Sequence, residues 1–329
     1  MITRRAAGLL AAGAGSAVAA RGQARADTSW MPSRPLRLVV AYPAGGATDA
    51  IARIVAHQIT GPLGQNVIVE NVAGASGALG TRQVARGEPD GHTFTFGNNQ
   101  SHGTNMLLMR SPGYDAVRDF AALAGAGAFE NVLVVRNSLP VDTAAAFVAH
   151  ARAEAVPLTF ASTGPGSGSH LSAELLMVRA GFKATHIPYR GLAALAQDLV
   201  AGRIDFCCAP LASIVAQVTA GQVRALAMQS ARRHPMIPDI PTLSEQGIVD
   251  ADLASWAGFF APARAPRSAI ARLSRDIIAA LRRPEVATAI AGLGFTVEVS
   301  DGPAFAARQV GDLARLATLV GDIGLKPDD

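Results

Sequence analysis

The sequence predicts an α/β protein in two parts, each built on one doubly wound sheet, and three observations carry that reading. From Leu36 onward, short β-type runs alternate with helix-like segments. The strand cores are continuous apolar runs, Leu38 to Ala41, Val67 to Val69, Val132 to Val135 and Ala225 to Met228, a pattern that suits parallel strands covered on both faces. The chain has 329 residues, and at roughly 100 to 200 residues per domain two domains are expected. Half the residues are apolar, 16% are charged and only two are cysteine. That composition excludes a disordered chain, a collagen, a coiled coil and a disulfide scaffold.

The N-terminus has its own pattern. Met1 to Arg5 is a short basic segment, Ala6 to Ala20 is uncharged and made of small and apolar residues, and Ala24-Arg25-Ala26 supplies a small-x-small site before Asp27. This predicts a secretory signal over residues 1–26, cleaved near Ala26, and a periplasmic mature protein. Thr3-Arg4-Arg5 resembles a twin-arginine signal, but Ala7 stands where a bulky apolar residue is preferred, so the Sec and Tat routes both stay open. Arg4, Arg5, Arg21 and Arg25 all lie here, leaving 25 basic against 25 acidic residues in the remainder. A neutral body gives no basic stripe for nucleic acid, and no nucleic-acid partner is expected.

Along the mature chain, Ile51, Ile54, Val55 and Ile59 recur at helical spacing, as do Leu192, Leu195, Leu199 and Val200. Residues 266–325 read as largely helical, with breaks at Pro284 and Gly292-Leu293-Gly294 and a start signal at Ser300-Asp301 before Pro303. Seven histidines (57, 92, 102, 150, 170, 186 and 234) are scattered, with no i, i+4 pair of the zinc-helix kind, and no metal site or cofactor is expected. There is no G-x-S-x-G elbow, Walker A loop or G-x-G-x-x-G after a strand. Cys207 and Cys208 sit in an apolar run and read as two small buried residues.

Chemistry is concentrated in three strand-to-helix loops. Tyr42-Pro43-Ala44-Gly45-Gly46-Ala47-Thr48-Asp49 follows the first strand and opens a helix. Its glycines and the helix N-terminus expose backbone N–H groups, an anion cradle that needs no cationic side chain. Asp49 in it reads equally as a helix cap or as a ligand contact. The second loop, Ser162 to Ser169, carries three glycines and four hydroxyls between a strand and the helix of Leu171, Leu175 and Val178. The third is Ile187-Pro188-Tyr189-Arg190-Gly191. Two opposed helix N-termini would suit a small molecule with a carboxylate at each end.

In order along the chain stand V-A-Y-P-A-G-G-A-T-D (Val40 to Asp49), V-E-N then G-A-S-G (Val69 to Gly77), D-G-H-T-F (Asp90 to Phe94) and R-D-F (Arg118 to Phe120). They continue with F-A-S-T-G-P-G-S and H-L (Phe160 to Leu171), I-P-Y-R-G (Ile187 to Gly191), A-G-R-I-D (Ala201 to Asp205), R-A-L-A (Arg224 to Ala227), I-P-D-I-P-T (Ile237 to Thr242) and S-W-A-G-F-F-A-P-A (Ser255 to Ala263). From Arg34 to about Leu325 the chain thereby resembles the substrate-binding receptors of tripartite tricarboxylate transporters, the Bug family. The resemblance implies a type II periplasmic binding protein, two α/β lobes joined by two crossing strands with a ligand cleft between them. Lobe 1 would be discontinuous, residues 33–130 plus 253–329, with lobe 2 at 131–252.

The resemblance also implies a site. Tyr42, Ala44, Gly45, Gly46, Ala47, Thr48 and Asp49 would bind one carboxylate, largely through backbone amides. Ser162, Thr163, Gly164, Gly166 and Ser167 would contribute from the other lobe, with Tyr189, and with Asp205 acting through water or an ordered hydrogen bond. Asn98 to His102, Asn99 among them, would line the cleft, and His102 reads as a packing residue. Where family members have Arg-Pro and then Gly-Ala-Gly-Gly, this chain has Val72-Ala73 and Gly74-Ala75-Ser76-Gly77. A guanidinium is missing at that edge, and no particular relative's ligand is transferred. The expected function is a non-enzymatic, monomeric receptor that captures a small carboxylate and presents it to membrane permease subunits. The alternatives are a sensor that docks on a kinase ectodomain and an exported α/β hydrolase.

Overall fold

Leu36, Leu38 and Val40 share one face of the first strand and Ile51, Val55 and Ile59 one face of the helix after it, and all six are fully buried against each other's layer. That pairing of a two-residue with a 3.6-residue period repeats along a computed structural model of the chain, which describes residues 30–189, 191–253 and 255–326. The secretory signal expected over residues 1–26 lies outside the described residues.

The chain first runs β1 (Leu36–Val40), α1 (Ala47–Leu63), β2 (Val67–Asn71), α2 (Ala78–Ala85), β3 (Thr93–Asn98), α3 (Asn105–Leu108) and β4 (Phe120–Phe129). It then builds a second unit from β5 (Asn131–Arg136), α4 (Ala144–Ala153), β6 (Leu158–Ser162), α5 (Gly168–Ala180), β7 (Ala184–Pro188), α6 (Leu192–Val200), β8 (Phe206–Pro210), α7 (Leu211–Thr219) and β9 (Val223–Met228). Finally it returns with β10 (Ser255–Pro262), α8 (Arg267–Leu281), α9 (Pro284–Ala291), β11 (Phe295–Asp301) and α10 (Gly302–Asp322). One sheet has the order β11-β4-β10-β3-β1-β2 and the other β7-β6-β8-β5-β9. This is the two-lobed α/β architecture expected, with helices on both faces of each sheet.

Two of the continuous apolar runs are not in parallel pairs. β5 lies antiparallel to both β8 and β9. Val132 and Val134 enter one core layer and Leu133 and Val135 the other. An unbroken apolar run therefore reports two covered faces and carries no information on direction. The tail departs from the helical expectation at β11, where Phe295, Val297 and Val299 alternate toward the core of the larger sheet. Its start signal is used as expected, Asp301 accepting the N–H of Ala304 to cap α10.

Among the described residues the chain passes between the sheets through Glu130 and through residues 229–253. Two fully buried amides tie these crossings together. Asn131 donates to Ser172 Oγ and to the Leu253 carbonyl, and Gln229 donates to the Ser172 carbonyl. Leu316, Leu319 and Val320 of α10 pack on Leu171 and Leu175 of α5, so the C-terminal helix spans the junction. Among the described residues no helix is long and apolar enough to cross a membrane.

Candidate functional site

Between the two sheets, at the carboxyl ends of β1, β3, β6 and β8, lies a cleft of about 600 Å³. Ligands of open α/β sheets bind in such crevices, because helices begin where parallel strands end. Lobe 1 supplies Ala47 and Thr48 at the start of α1, Asn98 to Gln100 after β3, and Gly292 to Gly294 before β11. Lobe 2 supplies Thr163, Gly168 and Ser169 around the start of α5, Leu192 at the start of α6, and Pro210, Ala212, Ser213 and Val215 at the start of α7. Phe129 at the end of β4 and Ser255 at the start of β10, next to the crossings, also line it. Among the described residues, none that lines the cleft is charged.

The N–H groups of the first turn of a helix have no carbonyl behind them. In α1 that turn opens at Gly46, which has no side-chain cap, and Ala47 and Thr48 face the cleft. The crest Ala44-Gly45-Gly46 is exposed, and Gly45 has φ 84°, a backbone conformation that favours glycine. Beneath it Asp49 is buried, and its carboxylate accepts the Gly45 N–H at 3.0 Å, the Asn71 amide at 3.0 Å and the Arg53 guanidinium at 3.0 Å. Burial opposes the Asp49 charge, but the bonds from Arg53, Gly45 and Asn71 outweigh it and hold the pKa below the ordinary carboxylate range. Asp49 thus neither caps α1 nor lines the cleft; it fixes the shape of the loop that does. Tyr42 acts similarly, its hydroxyl donating to Asn98 Oδ1 at 2.7 Å, which also accepts the N–H groups of Gln100 and Ser101. Burial raises the Tyr42 phenol well above its usual pKa and keeps it a donor.

The second loop is organised from within. Ser167 caps α5 by accepting the His170 N–H, Ser169 accepts the Thr163 N–H at 3.0 Å, and Gly166 donates to His170 Nδ1 at 3.0 Å. Ser162 is fully buried with Oγ 2.6 Å from His186 Nε2, and it also accepts the Gly164 N–H at 3.0 Å. This serine and histidine resemble half of a hydrolytic pair, yet the oxygen is spent inside the loop and does not line the cleft. Burial, with His170 stacked at 4.1 Å, pulls the His186 pKa down to about 4.

Of the residues expected from sequence, the structure brings Ala47, Thr48, Asn98, Asn99, Gln100 and Thr163 to the cleft wall. Tyr42, Asp49, Ser162, Gly164, Gly166 and Ser167 hold the loops in place behind it. Tyr189 is turned aside, its hydroxyl donating to Asp198 at 2.7 Å. Asp205 is a correction. It precedes β8, whose other end carries Pro210 into the cleft, so it stands roughly 15 Å away at about 3.3 Å per residue. Its carboxylate accepts Arg136 Nε at 2.8 Å and the N–H and hydroxyl of Thr159 at 2.7 and 2.8 Å, pinning the starts of β6 and β8. His102 is a packing residue as expected, fully buried and stacked at 4.0 Å on Phe260.

Sequence reasoning missed the apolar contributors. Pro210-Leu211-Ala212-Ser213 repeats the strand-to-helix step without the glycines that marked the other loops. Gly292-Leu293-Gly294 registers in the sequence only as a helix break, and Met236 sits in a loop with no signal of its own.

The comparisons with known proteins agree with this geometry. The family described as the tripartite tricarboxylate transporter family receptor matches residues 51–325. The chain is 38% identical over 264 residues to the UPF0065 protein of the tcbD-tcbE intergenic region of Pseudomonas sp. (strain P51), covering 80% of this chain and 78% of that one. It is 31% identical over 302 residues to Protein BugT of Bordetella pertussis, covering 92% of each. Among solved structures, R. palustris Rpa4515 with adipate has a TM-score of 0.81 at 30% identity, over 90% of this chain and 99% of that one.

Proposed function

The chain belongs to the tripartite tricarboxylate transporter family of receptors, and from that membership we propose that its cleft captures a small carboxylate outside the cytoplasm and presents it to the membrane permease. One observation carries the reading: the N-termini of α1 and α5 open onto the same cleft from opposite lobes. Each contributes unpaired N–H donors and about half a positive charge, which favours an anion without a cationic side chain. A carboxylate held by both lobes stabilises the closed arrangement, because only closure lets both sets of donors reach it. The adipate bound in Rpa4515 is a ligand of this class. We place the site on Ala47, Thr48, Asn99 and Thr163, with Gly45 and Gly46 shaping the cradle, and we read the ligand as returned unchanged.

The test is thermal unfolding of the purified protein, freed of retained ligand, against mono-, di- and tricarboxylates. A ligand at 100 times its dissociation constant adds about 2.7 kcal/mol and raises the midpoint by several degrees. Gly46→Asp supplies the control. Aspartate is a favoured N-cap, so the variant keeps its stability or gains a few tenths of a kcal/mol, while its carboxylate repels the ligand and the ligand-induced rise disappears. A rise that survives in Gly46→Asp refutes the cradle.

A further inference from the structure

We propose that the cleft is divided into a polar half and an apolar half, and that the ligand is an organic acid with one carboxylate and an apolar body, aliphatic or aromatic. The inference rests on the receptor reading above and narrows its substrate class. Sheet order supplies the division. In the larger sheet β1 and β3 are neighbours and bring Thr48 and Asn99 together, while β4 and β11 are neighbours and bring Phe129 and Leu293 together. In the smaller sheet Thr163 and Ser169 follow β6, with Leu192 after the neighbouring β7 as the one large apolar side chain on that side, whereas Val215 follows β8 and Met236 lies beyond β9.

Close approaches between the lobes fix which halves face each other. A Cβ added to Gly294 would stand 2.4 Å from Ala212 Cβ, and Arg232 beyond β9 pairs with Glu298 of β11 at 2.8 Å. The β11 edge therefore faces α7 and the β9 side, setting Phe129 and Leu293 opposite Val215 and Met236. A Cβ added to Gly168 would stand 2.8 Å from Ser255 Oγ, and one added to Gly166 would stand 2.4 Å from Leu108 of α3. The β3 end therefore faces the α5 loop, setting Asn99 opposite Thr163 and Ser169.

The apolar half offers a second carboxylate little. The Ser213 hydroxyl donates to the Pro210 carbonyl at 2.6 Å and is consumed by its own helix turn. Met236 stands 41% exposed at the cleft edge, apolar surface that a ligand body would cover. The first turn of α7 gives a carboxylate there a smaller donor set than α1 gives, since Pro210 has no N–H, the Leu211 N–H is taken by the Glu130 carbonyl and Gly294 packs over the Ala212 nitrogen, whereas a methylene chain or ring gains from burial.

The test is calorimetric titration of the purified protein, with retained ligand excluded by mass spectrometry, against propionate, hexanoate, benzoate, adipate and citrate. Hexanoate or benzoate is expected to bind at least about tenfold more tightly than adipate, with affinity rising about fourfold per buried methylene from propionate to hexanoate. The near-isosteric pair Val215→Thr and Met236→Gln is expected to flatten the rise from propionate to hexanoate, with an unchanged thermal midpoint of the ligand-free protein certifying the variant's fold. Adipate or citrate binding more tightly than both monocarboxylates overturns the divided cleft and leaves the receptor reading standing. Equal weakening of every acid in the variant overturns it too. Binding by none of the five overturns this inference and the carboxylate reading beneath it.

Discussion

At the scale of single residues, the charges of this site act one step behind its surface. Asp49 holds the loop crest through Gly45 and ties it to β2 through Asn71. Asp49→Ala is expected to remove the shared acceptor of the Gly45 N–H, the Asn71 amide and the Arg53 guanidinium, cost about 1 to 2 kcal/mol and weaken carboxylate binding at least about tenfold, although Asp49 does not line the cleft; urea unfolding and titration calorimetry check both. Asp49 and Asp205 are both carboxylates beside glycine-rich or cleft-proximal motifs, and the sequence distinguishes neither from a ligand contact. Their partners, Asn71 and Arg53 for one, Arg136 and Thr159 for the other, come from distant strands or the next helical turn and become legible only in three dimensions. His102, fully buried, and His186, half-buried, give a second expectation. Burial pulls His102 to about 3 and, with His170 beside it, His186 to about 4, both below the ordinary value of 6.5. The unfolded chain binds these protons first, so the stability contributed by neutral imidazoles is complete above pH 6.5 and is lost as pH falls toward 4 and then 3. The melting temperature should fall through that window before the depressed aspartates, whose protonation costs stability only below about 3.8, add to the loss. His186→Gln should flatten the upper part of the profile; an unchanged slope refutes the assignment.

At the scale of elements, the loops after β1 and β6 and the helices they open were legible because glycine and hydroxyl clusters break an apolar pattern sharply. Strand direction was not legible, since β5 is covered on both faces yet antiparallel to both neighbours. β11 was obscured by the helical segments on either side of it, although its alternation of Phe295, Val297 and Val299 is a strand signal. Close packing was equally hidden. A Cβ on Gly258 of β10 would stand 2.2 Å from the Phe305 ring of α10 and 2.5 Å from the Ala124 carbonyl of β4, so the missing side chain is what seats α10 on the sheet. Gly258→Ala is expected to cost about 1 to 3 kcal/mol by overpacking. In the same helix Gly311 is exposed with open space where its Cβ would be, and Gly311→Ala should gain up to about 1 kcal/mol through helix propensity. Opposite signs in urea unfolding of the two variants would separate backbone approach from a general intolerance of glycine replacement in this layer.

At the scale of the whole molecule, two lobes meet along contacts too tight to survive much enlargement, while among the described residues the chain crosses between them at Glu130 and over residues 229–253. Such an arrangement is expected to open by hinge motion at the crossings and to close until backbone meets backbone. Gly294 is one such contact: a side chain there would meet the Cβ, Cα and N of Ala212 at 2.4, 2.8 and 3.2 Å, and these atoms cannot rotate away. Its φ of 70° adds a local cost to any L residue. The Arg232–Glu298 pair on the same edge is largely exposed and supplies orientation more than energy. Gly294→Ala is therefore expected to wedge this edge apart without disturbing either core. Small-angle scattering should show the ligand-free variant no more compact than the native protein and, unlike it, failing to contract when a bound carboxylate is added. Affinity should drop at least about tenfold, because the ligand must then bind with one lobe's donors out of reach. Contraction and affinity equal to those of the native protein would mean that the lobes close about some other contact.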